Sequence, residues 1–198
     1  MTLKVALGTG GKPLEGWINL ELTPSHPLET QCDITKGLLF EDGSISFIHS
    51  ENMLEHITYL DNVNLFDEIY RVLGSGGVAR LGTHGLPAMV GLLKEDKTET
   101  EKEYVKWVNK SFWHHFCHDG GDNPVFTINH AFYGHGHKFL FDERTLRDIA
   151  LGAGFNNIKF CKLGTSEHPE LCGVEQHGKV IPPEFYELEV LIIEVTKE

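Results

Sequence analysis

The first fifty residues contain four short apolar runs separated by turn residues. The runs lie at 3–7, 17–22, about 30–34 and 45–49. Each has the length of a strand, and the turn sequence Glu-Asp-Gly-Ser at 41–44 precedes the last run. This part of the chain therefore predicts four β-strands.

The apolar spacing changes to that of a helix in the next segment. From Asp61, which we expect to be the N-cap, apolar residues recur at helical spacing as far as Leu73. The glycine-rich run at 74–77 ends this helix, and 78–81 is predicted to be a fifth strand. Strands that alternate with crossover segments indicate a parallel sheet.

The chain between 84 and 141 differs in character from the rest. Charged residues crowd 94–106, and aromatic and histidine side chains dominate from Trp107 onward. We predict a helix over about 98–113 and interpret 84–141 as an insertion that covers the carboxyl ends of the strands. After it, a helix capped by Asp142 and ended by Gly154 precedes two final strands at 157–163 and 187–196, which we expect to pair antiparallel.

Composition limits the classes of partner. A net charge of −12, with no basic run, argues against a nucleic acid or an anionic membrane surface as a partner. No apolar run approaches the roughly 20 residues needed to span a bilayer. The four cysteines lack C-x-x-C spacing and no leader-like segment opens the sequence, so we expect a cytoplasmic protein. We also expect one domain over 1–198 that acts on a small molecule. The oligomeric state does not follow from these features.

A glycine-rich loop after the first strand carries the strongest chemical signal. Gly8, Gly10 and Gly11 follow the strand, and the acidic Glu21 closes the next one. Glycine permits close approach of a ligand, and a carboxylate can accept hydrogen bonds from two adjacent hydroxyls, as in a ribose. Pro13 replaces the third glycine of the dinucleotide fingerprint, and the short loop has no room for the helix that holds a pyrophosphate. A ribose without a phosphate is favoured, and S-adenosylmethionine is the obvious candidate; a plain tight turn is the alternative.

Several motifs together resemble the class I S-adenosylmethionine-dependent methyltransferases. The motifs are LGTGGKPLEGWINLE at 7–21, FEDGS at 40–44, MLEH at 53–56, EIYRVL at 68–73 and GHKFLFDE at 136–143. The resemblance implies an α/β fold, a doubly wound, mostly parallel sheet with an antiparallel final strand and an insertion after strand five. It also implies the cofactor S-adenosylmethionine. The sequence departs from the usual pattern at Thr9, Ser46, Gly74 and Ser75.

The resemblance also implies positions for the cofactor-binding residues. Gly8, Thr9 and Gly10 would pass beneath the methionine and ribose, Glu21 would take the ribose hydroxyls, and Asp33 with Ile34 would meet the adenine. His49 and Ser50 would line the methionine side. The full cofactor-binding set at the strand ends is Leu7, Gly8, Thr9, Gly10, Glu21, Leu22, Asp33, Ile34, His49, Ser50 and Glu51.

Methyl transfer needs positioning, exclusion of water and, for some acceptors, a base. The residues that could serve as that base by their placement are His49, Glu51, His56, His84 and His115. Histidine suits the task because its pKa lies near neutrality. The structural alternative for each is a cap or a hydrogen-bond partner.

Two other classes of function stay open. A catalytically degenerate binder of S-adenosylmethionine or a nucleoside would explain the residues at 46, 74 and 75, and it would lack an acceptor cavity. A zinc-binding protein would use the imidazoles and thiol of the run His114, His115, Cys117 and His118, completed by His130, His135 or His137. His114 and His118 are four residues apart and could share a helix face only if the helix continued past Phe116, so no metal ligand is assigned.

Overall fold

One twisted sheet of seven strands forms the centre of the molecule in a computed structural model, which describes residues 2–116 and 121–198. The sheet order is β3-β2-β1-β4-β5-β7-β6. The strands are β1 (Lys4–Leu7), β2 (Ile18–Glu21), β3 (Glu29–Gln31), β4 (Ile45–Glu51), β5 (Leu73–His84), β6 (Asn157–Cys161) and β7 (Val190–Thr196). The first five strands pair in parallel, whereas β7 pairs antiparallel with both β5 and β6. The predicted sheet, with its antiparallel final strand, is confirmed.

Six α-helices connect or cover these strands in the described chain. They are α1 (Tyr59–Val72), α2 (Leu86–Gly91), α3 (Glu99–Phe112), α4 (Pro124–Tyr133), α5 (Glu143–Gly152) and α6 (Pro183–Glu189). None of the helices in the described residues is both long and apolar enough to cross a membrane. The helix predicted over 98–113 is confirmed as α3, and Asp142 caps α5 by accepting from the backbone N–H of Thr145.

Several predicted boundaries were wrong. The fifth strand runs over Leu73–His84 rather than 78–81, because Leu73 already pairs with Ile45 of β4, so the glycine run at 74–77 lies within the strand. The N-cap of α1 is Thr58 rather than Asp61, because the two residues form a capping box: the Thr58 hydroxyl accepts from the Asp61 N–H, and the Asp61 carboxylate accepts from the Thr58 N–H. Residues 187–189 belong to α6 rather than to the final strand, because Phe185 and Leu188 pack against helices instead of the sheet.

The main core lies between one face of the sheet and helices α1 and α5, which contact each other. Ile48, Phe66, Ile69, Leu146 and Phe155 have at most 4% of their surface exposed. Helical spacing on α1 and α5 and alternation along the strands put these side chains on one face of each element.

A second, smaller core joins α2, α3, α4 and α6 beyond the end of β5. Its buried residues are Met89, Leu92, Tyr104, Val105, Val108, Ala131, Leu140 and Phe185. Three of these helices come from the predicted insertion at 84–141, but α6 comes from near the end of the chain. We refer to α2, α3, α4 and α6 as the helical cover.

Glu29 fixes the glycine-rich loop between β1 and β2. Its carboxylate accepts from the Thr9 hydroxyl at 2.6 Å and from the backbone N–H of Gly11 at 2.8 Å. It also accepts from the N–H groups of Ser25, at 2.8 Å, and His26, at 3.0 Å. Desolvation would raise the pKa of Glu29, but these four donors lower it below its ordinary value. The loop that the sequence singled out is thus held by a carboxylate at the start of β3.

Arg80 ties the other face of the sheet to the segment that follows β6. Its side chain is fully buried and lies between the carboxylates of Glu175 and Glu194. Its guanidinium also donates to the carbonyl oxygens of Thr165, at 2.9 Å, and Lys162, at 3.1 Å. One buried cation therefore satisfies acceptors from β7 and from the loop over 162–175.

Replacing Arg80 tests this buried network. Arg80→Met should lower the free energy of unfolding by about 3–5 kcal/mol, because Glu175 and Glu194 keep their buried charges without the cation. Urea unfolding followed by circular dichroism measures the change. Lys159→Met removes only an exposed ion pair with Glu167 and should cost much less stability than Arg80→Met. Equally small losses in the two variants would contradict the role given to Arg80.

The carboxylate of Glu29 gives the fold a dependence on pH. Glu29→Gln leaves two N–H donors facing an amide NH₂ and should cost roughly 1–3 kcal/mol at pH 7. Because the folded pKa is lowered, the stabilisation by Glu29 is present above the ordinary pKa of 4.5 and is lost as the pH falls through the folded value. Urea unfolding from pH 7 to 3 should therefore show the two proteins converging in stability below pH 4.5. A difference that is constant with pH would contradict this.

Candidate active site

A cavity of about 440 Å³ opens at the carboxyl ends of β1, β4 and β5, beneath the helical cover. The glycine loop lines one end of it through Gly8, Thr9, Gly10 and Lys12. Aromatic and histidine side chains line the other end: Tyr104, Trp107, Phe112, His56, His84, His130, His135, His137 and His177. Three glutamates, Glu51, Glu55 and Glu189, face the same space.

The glycine loop leaves bare backbone toward the cavity. Gly8 has φ +65°, a backbone conformation that side chains disfavour, and a Cβ built on it would lie 2.4 Å from Cγ of Met53. The backbone conformation and the contact with Met53 therefore both require glycine at this position. Gly10 also has positive φ, +55°, with open space beside it. Bare backbone therefore faces the cavity at the glycine loop, where the sequence predicts that a ligand approaches. The hydroxyl of Thr9 serves the loop itself, through Glu29.

Glu21 lies at the end of β2, as predicted; the residue is half-buried, and its carboxylate is hydrogen-bonded at the protein surface. One oxygen accepts from the Gly10 N–H at 2.8 Å and the other from the Thr23 N–H at 3.2 Å. Each carboxylate oxygen can accept a second hydrogen bond, so the group keeps capacity for the two hydroxyls of a ribose. The neighbouring Leu22 is exposed.

Asp33 and Ile34 follow β3 in a short 3₁₀ turn. The Asp33 carboxylate accepts from the Thr35 hydroxyl at 2.6 Å and from the Thr35 N–H, and it pairs with Lys36. The hydrogen bond from Thr35, followed by that from Lys36, lowers the pKa of Asp33. The carboxylate is therefore ionised and oriented by its own turn, and Ile34 is buried beneath it.

The predicted residues on β1 and β4 are mostly interior. Ser50 donates its hydroxyl to the carbonyl oxygen of Leu7 at 3.0 Å, and both residues are buried. His49 is buried, and burial lowers its pKa to about 4, which keeps the ring neutral. Within the described residues Nδ1 of His49 has no hydrogen-bond partner. These side chains shape the strand ends from within the sheet.

Glu51 holds a distant part of the chain against the cavity. Its carboxylate accepts from the backbone N–H of Gln176 at 2.8 Å and of His177 at 2.9 Å. This bond brings His177, which the sequence did not indicate, to the cavity wall. The segment around His177 has no periodic pattern that would have placed it there.

His84 lies at the centre of a buried polar network. Its Nδ1 is 3.0 Å from the Glu55 carboxylate and its Nε2 is 3.6 Å from Glu189. Burial alone would lower the pKa of His84, but hydrogen bonds to Glu189 and Glu55 outweigh it and raise the pKa to about 10. Glu55 also accepts from the Thr83 hydroxyl at 2.7 Å, and Glu189 accepts from the Tyr104 hydroxyl at 2.6 Å. The network links β5, the turn after β4 and the helical cover.

The remaining predicted residues divide between cavity and surface. His56 lines the cavity, and its ring meets the ring of His137 edge to face, with 4.8 Å between centroids. His115 is exposed, and its ring lies 3.8 Å from that of His114, tilted by 46°. Cys117 and His118 lie outside the described residues. Of the predicted zinc cluster, His130, His135 and His137 line the cavity.

A different set of ligand-type atoms converges in this cavity. One carboxylate oxygen of Glu55 and one ring nitrogen each from His84 and His137 all lie within 4.8 Å of one another. The sequence placed these residues in separate motifs, and the sheet brings them together.

Comparison with known proteins gives an independent result for the first half of the chain. Residues 19–81 match a family described as "Methyltransferase domain". A search of curated proteins finds no match.

Solved structures match over the whole chain. A structure from Thermotoga maritima, described as a S-adenosylmethionine-dependent methyltransferase and possible histamine N-methyltransferase, is 19% identical with a TM-score of 0.53; the match covers 100% of this chain and 83% of that one. A methyltransferase from Mesorhizobium loti is 14% identical with a TM-score of 0.56, and the match covers 98% of this chain and 90% of that one.

A longer relative was solved with its cofactor. Phosphoethanolamine N-methyltransferase 2 of Haemonchus contortus, in complex with S-adenosylmethionine, is 16% identical with a TM-score of 0.52. The match covers 100% of this chain but 49% of that protein, so this chain spans about half of its length. Residues 19–81 thus match a methyltransferase domain family, and the complete chain shares the fold of solved S-adenosylmethionine-dependent methyltransferases.

Proposed function

We propose that the protein transfers a methyl group from S-adenosylmethionine to a small-molecule acceptor bound under the helical cover. One observation carries this proposal: a single cavity of about 440 Å³ runs from the bare backbone of Gly8 and Gly10 to the rings of Tyr104, Trp107 and Phe112. A cofactor at the glycine loop and an acceptor among the rings would share that space. The volume lies in the range of small-molecule sites.

The residues of the glycine-loop end fit the cofactor. Gly10 has open space where a Cβ would lie, so a ligand can approach its backbone, and Glu21 keeps acceptor capacity for ribose hydroxyls. We assign Asp33 and the Ile34 backbone to the adenine end, and Leu7, Ser50 and the buried His49 to the framework that shapes the methionine end. When bound, S-adenosylmethionine supplies a methyl group made electrophilic by its sulfonium.

The helical cover supplies the acceptor side. Tyr104, Trp107 and Phe112 come from one helix, α3, and present apolar ring surface to the cavity. Such a wall excludes water and favours an acceptor with an apolar or planar part. We therefore assign 84–141, together with α6, as the acceptor lid. An acceptor-sized cavity supports an enzyme over a degenerate cofactor binder.

The geometry narrows the choice of base. Both ring nitrogens of His84 face carboxylates, which leaves no free lone pair for an acceptor proton. His49 is buried within β4, Glu51 is engaged by two backbone donors, and His115 is on the surface. Of the predicted candidates, His56 keeps a place in the cavity wall. His177 joins it, and burial lowers the pKa of His177, so its neutral ring can accept a proton.

Cofactor binding provides the first test. Glu21→Ala should weaken binding of S-adenosylmethionine and S-adenosylhomocysteine by about 1.5–3 kcal/mol, the scale of hydrogen bonds to a charged group. Isothermal titration calorimetry of the purified protein measures both ligands. Glu41→Ala, a change at an exposed glutamate, is the matched control and should bind as the unchanged protein does. Unchanged affinity in folded Glu21→Ala would remove Glu21 from the site.

The acceptor side needs its own test. A panel of small planar alcohols, amines and thiols, with formation of S-adenosylhomocysteine as the readout, should reveal an acceptor. With that acceptor, Trp107→Ala should lower kcat/KM by roughly 10- to 100-fold, as expected for loss of an acceptor–ring contact worth ~1.5–3 kcal/mol, with cofactor affinity unchanged. Phe132→Ala, which removes a partly exposed ring from α4, should leave kcat/KM near its original value. Equal effects in both variants would argue against an acceptor site at Trp107.

A further inference from the structure

We propose that Glu55, His84 and His137 form a binding site for a divalent transition-metal ion of the zinc class, inside the acceptor part of the cavity. The ligand-type atoms of these three residues lie within 4.8 Å of one another. One carboxylate and two imidazoles are the donor set of open zinc sites that keep a further position for a bound molecule. Calcium and magnesium prefer sites built from oxygen donors, so the two imidazoles disfavour them.

The ring of His137 is oriented as a ligand requires. Its Nδ1 lies 2.6 Å from the carbonyl oxygen of Ala131, which can only accept, so Nδ1 carries the proton. The lone pair is then on Nε2. A backbone carbonyl that fixes the tautomer in this way is a common outer partner of histidine ligands.

Glu55 is fixed to the same part of the chain. Its side chain is fully buried, and its backbone oxygen accepts from the N–H of Lys138 at 2.7 Å, next to His137. Its carboxylate also accepts from the Thr83 hydroxyl, next to His84. One of the three ligands, Glu55, is thus bonded to a sequence neighbour of each of the other two, through its backbone oxygen on one side and its carboxylate on the other.

The third ligand, His84, has an outer partner as well. Its Nδ1 lies 3.0 Å from Glu55, and its Nε2 faces Glu189 at 3.6 Å. An ion between Nδ1 and Glu55 would replace the proton they share, and Nε2–H would still point to Glu189. This is the carboxylate–histidine–metal arrangement that orients ligands in known sites. Glu189 is held in turn by the Tyr104 hydroxyl at 2.6 Å.

The charges of the network also favour a divalent ion. His84 lies between Glu55 and Glu189. The second ring near Glu189, that of His177 at 3.8 Å, has a lowered pKa and is neutral, so one positive ring faces two buried carboxylates. A divalent cation bound to neutral imidazoles would balance both negative charges. Buried charges in proteins are usually paired or bound to metal ions.

Three protein ligands would leave a coordination position for a molecule in the cavity. An oxygen, nitrogen or sulfur atom of the acceptor could take that position, and the ion would lower the pKa of a bound hydroxyl or thiol. The role of the ion in methyl transfer rests on the proposed function, whereas the binding of the ion does not depend on it.

The test is zinc binding by the full chain after removal of bound metals with a chelator, without S-adenosylmethionine. Calorimetric titration with Zn²⁺ should show one site of micromolar or tighter affinity, and Mg²⁺ should show none under the same conditions. His137→Ala should weaken Zn²⁺ binding by at least about 100-fold, because it removes a direct ligand while leaving the Glu55–His84 pair. His135→Ala, at another histidine of the same cavity wall, should bind Zn²⁺ as the unchanged protein does.

A cobalt spectrum and a second variant keep the test decisive if one protein folds poorly. Co²⁺ in the site should give visible absorption bands, and His84→Asn or His137→Gln should abolish them. Absence of Zn²⁺ binding in the unchanged protein would overturn the proposal. Binding that survives His137→Ala but is lost in the double variant His114→Ala, His115→Ala would overturn it too. Cofactor titration on the same samples separates failure of the metal site from failure of the proposed function.

Discussion

The buried carboxylate of Glu55 is the group on which the architecture of the site depends most. It receives the hydroxyl of Thr83 and the ring of His84 from β5, while its backbone oxygen receives the N–H groups of Lys138 and Phe139. Three separate parts of the chain therefore meet at one residue. A buried carboxylate without these donors would be strongly unfavourable, so the contacts hold the end of the sheet and the helical cover in one arrangement.

Glu29 has a similar role at the other end of the cavity. It fixes the glycine loop through the Thr9 hydroxyl, which explains a residue that departs from the usual motif. Gly74, another departure, packs against the carbonyl oxygen of Gly43, where a Cβ would lie only 2.9 Å away. Both departures thus have structural reasons in this chain and do not require a loss of catalytic function.

The sequence predicted the sheet well because each strand has a local signature. The strands near 3–7, 17–22 and 45–49, the helix at 98–113 and the caps at Asp142 and Gly154 all appear close to their predicted places. Local patterns failed where partners decide the conformation. Thr58 is the true cap of α1 because it forms a reciprocal pair with Asp61, and 187–189 are helical because α6 packs on α3.

The site was harder to predict for the same reason. Gly8 and Gly10, which line the cavity, could be predicted because the motif that contains them is continuous in the chain. Glu189 and His177 reach the cavity through contacts with residues more than a hundred positions away, and no local pattern indicates them. The meeting of Glu55, His84 and His137 likewise depends on the parallel register of β4 and β5 and on the return of the chain after α4.

The most direct measurement is a crystal structure of the protein with S-adenosylhomocysteine. The account predicts that the ribose hydroxyls lie against the carboxylate of Glu21 and that the ligand passes over the backbone of Gly8 and Gly10. It also predicts that the sulfur faces the space in front of Trp107 and Glu55. A ligand bound elsewhere, or one whose sulfur faces away from that space, would contradict the assignment of one shared cavity for cofactor and acceptor.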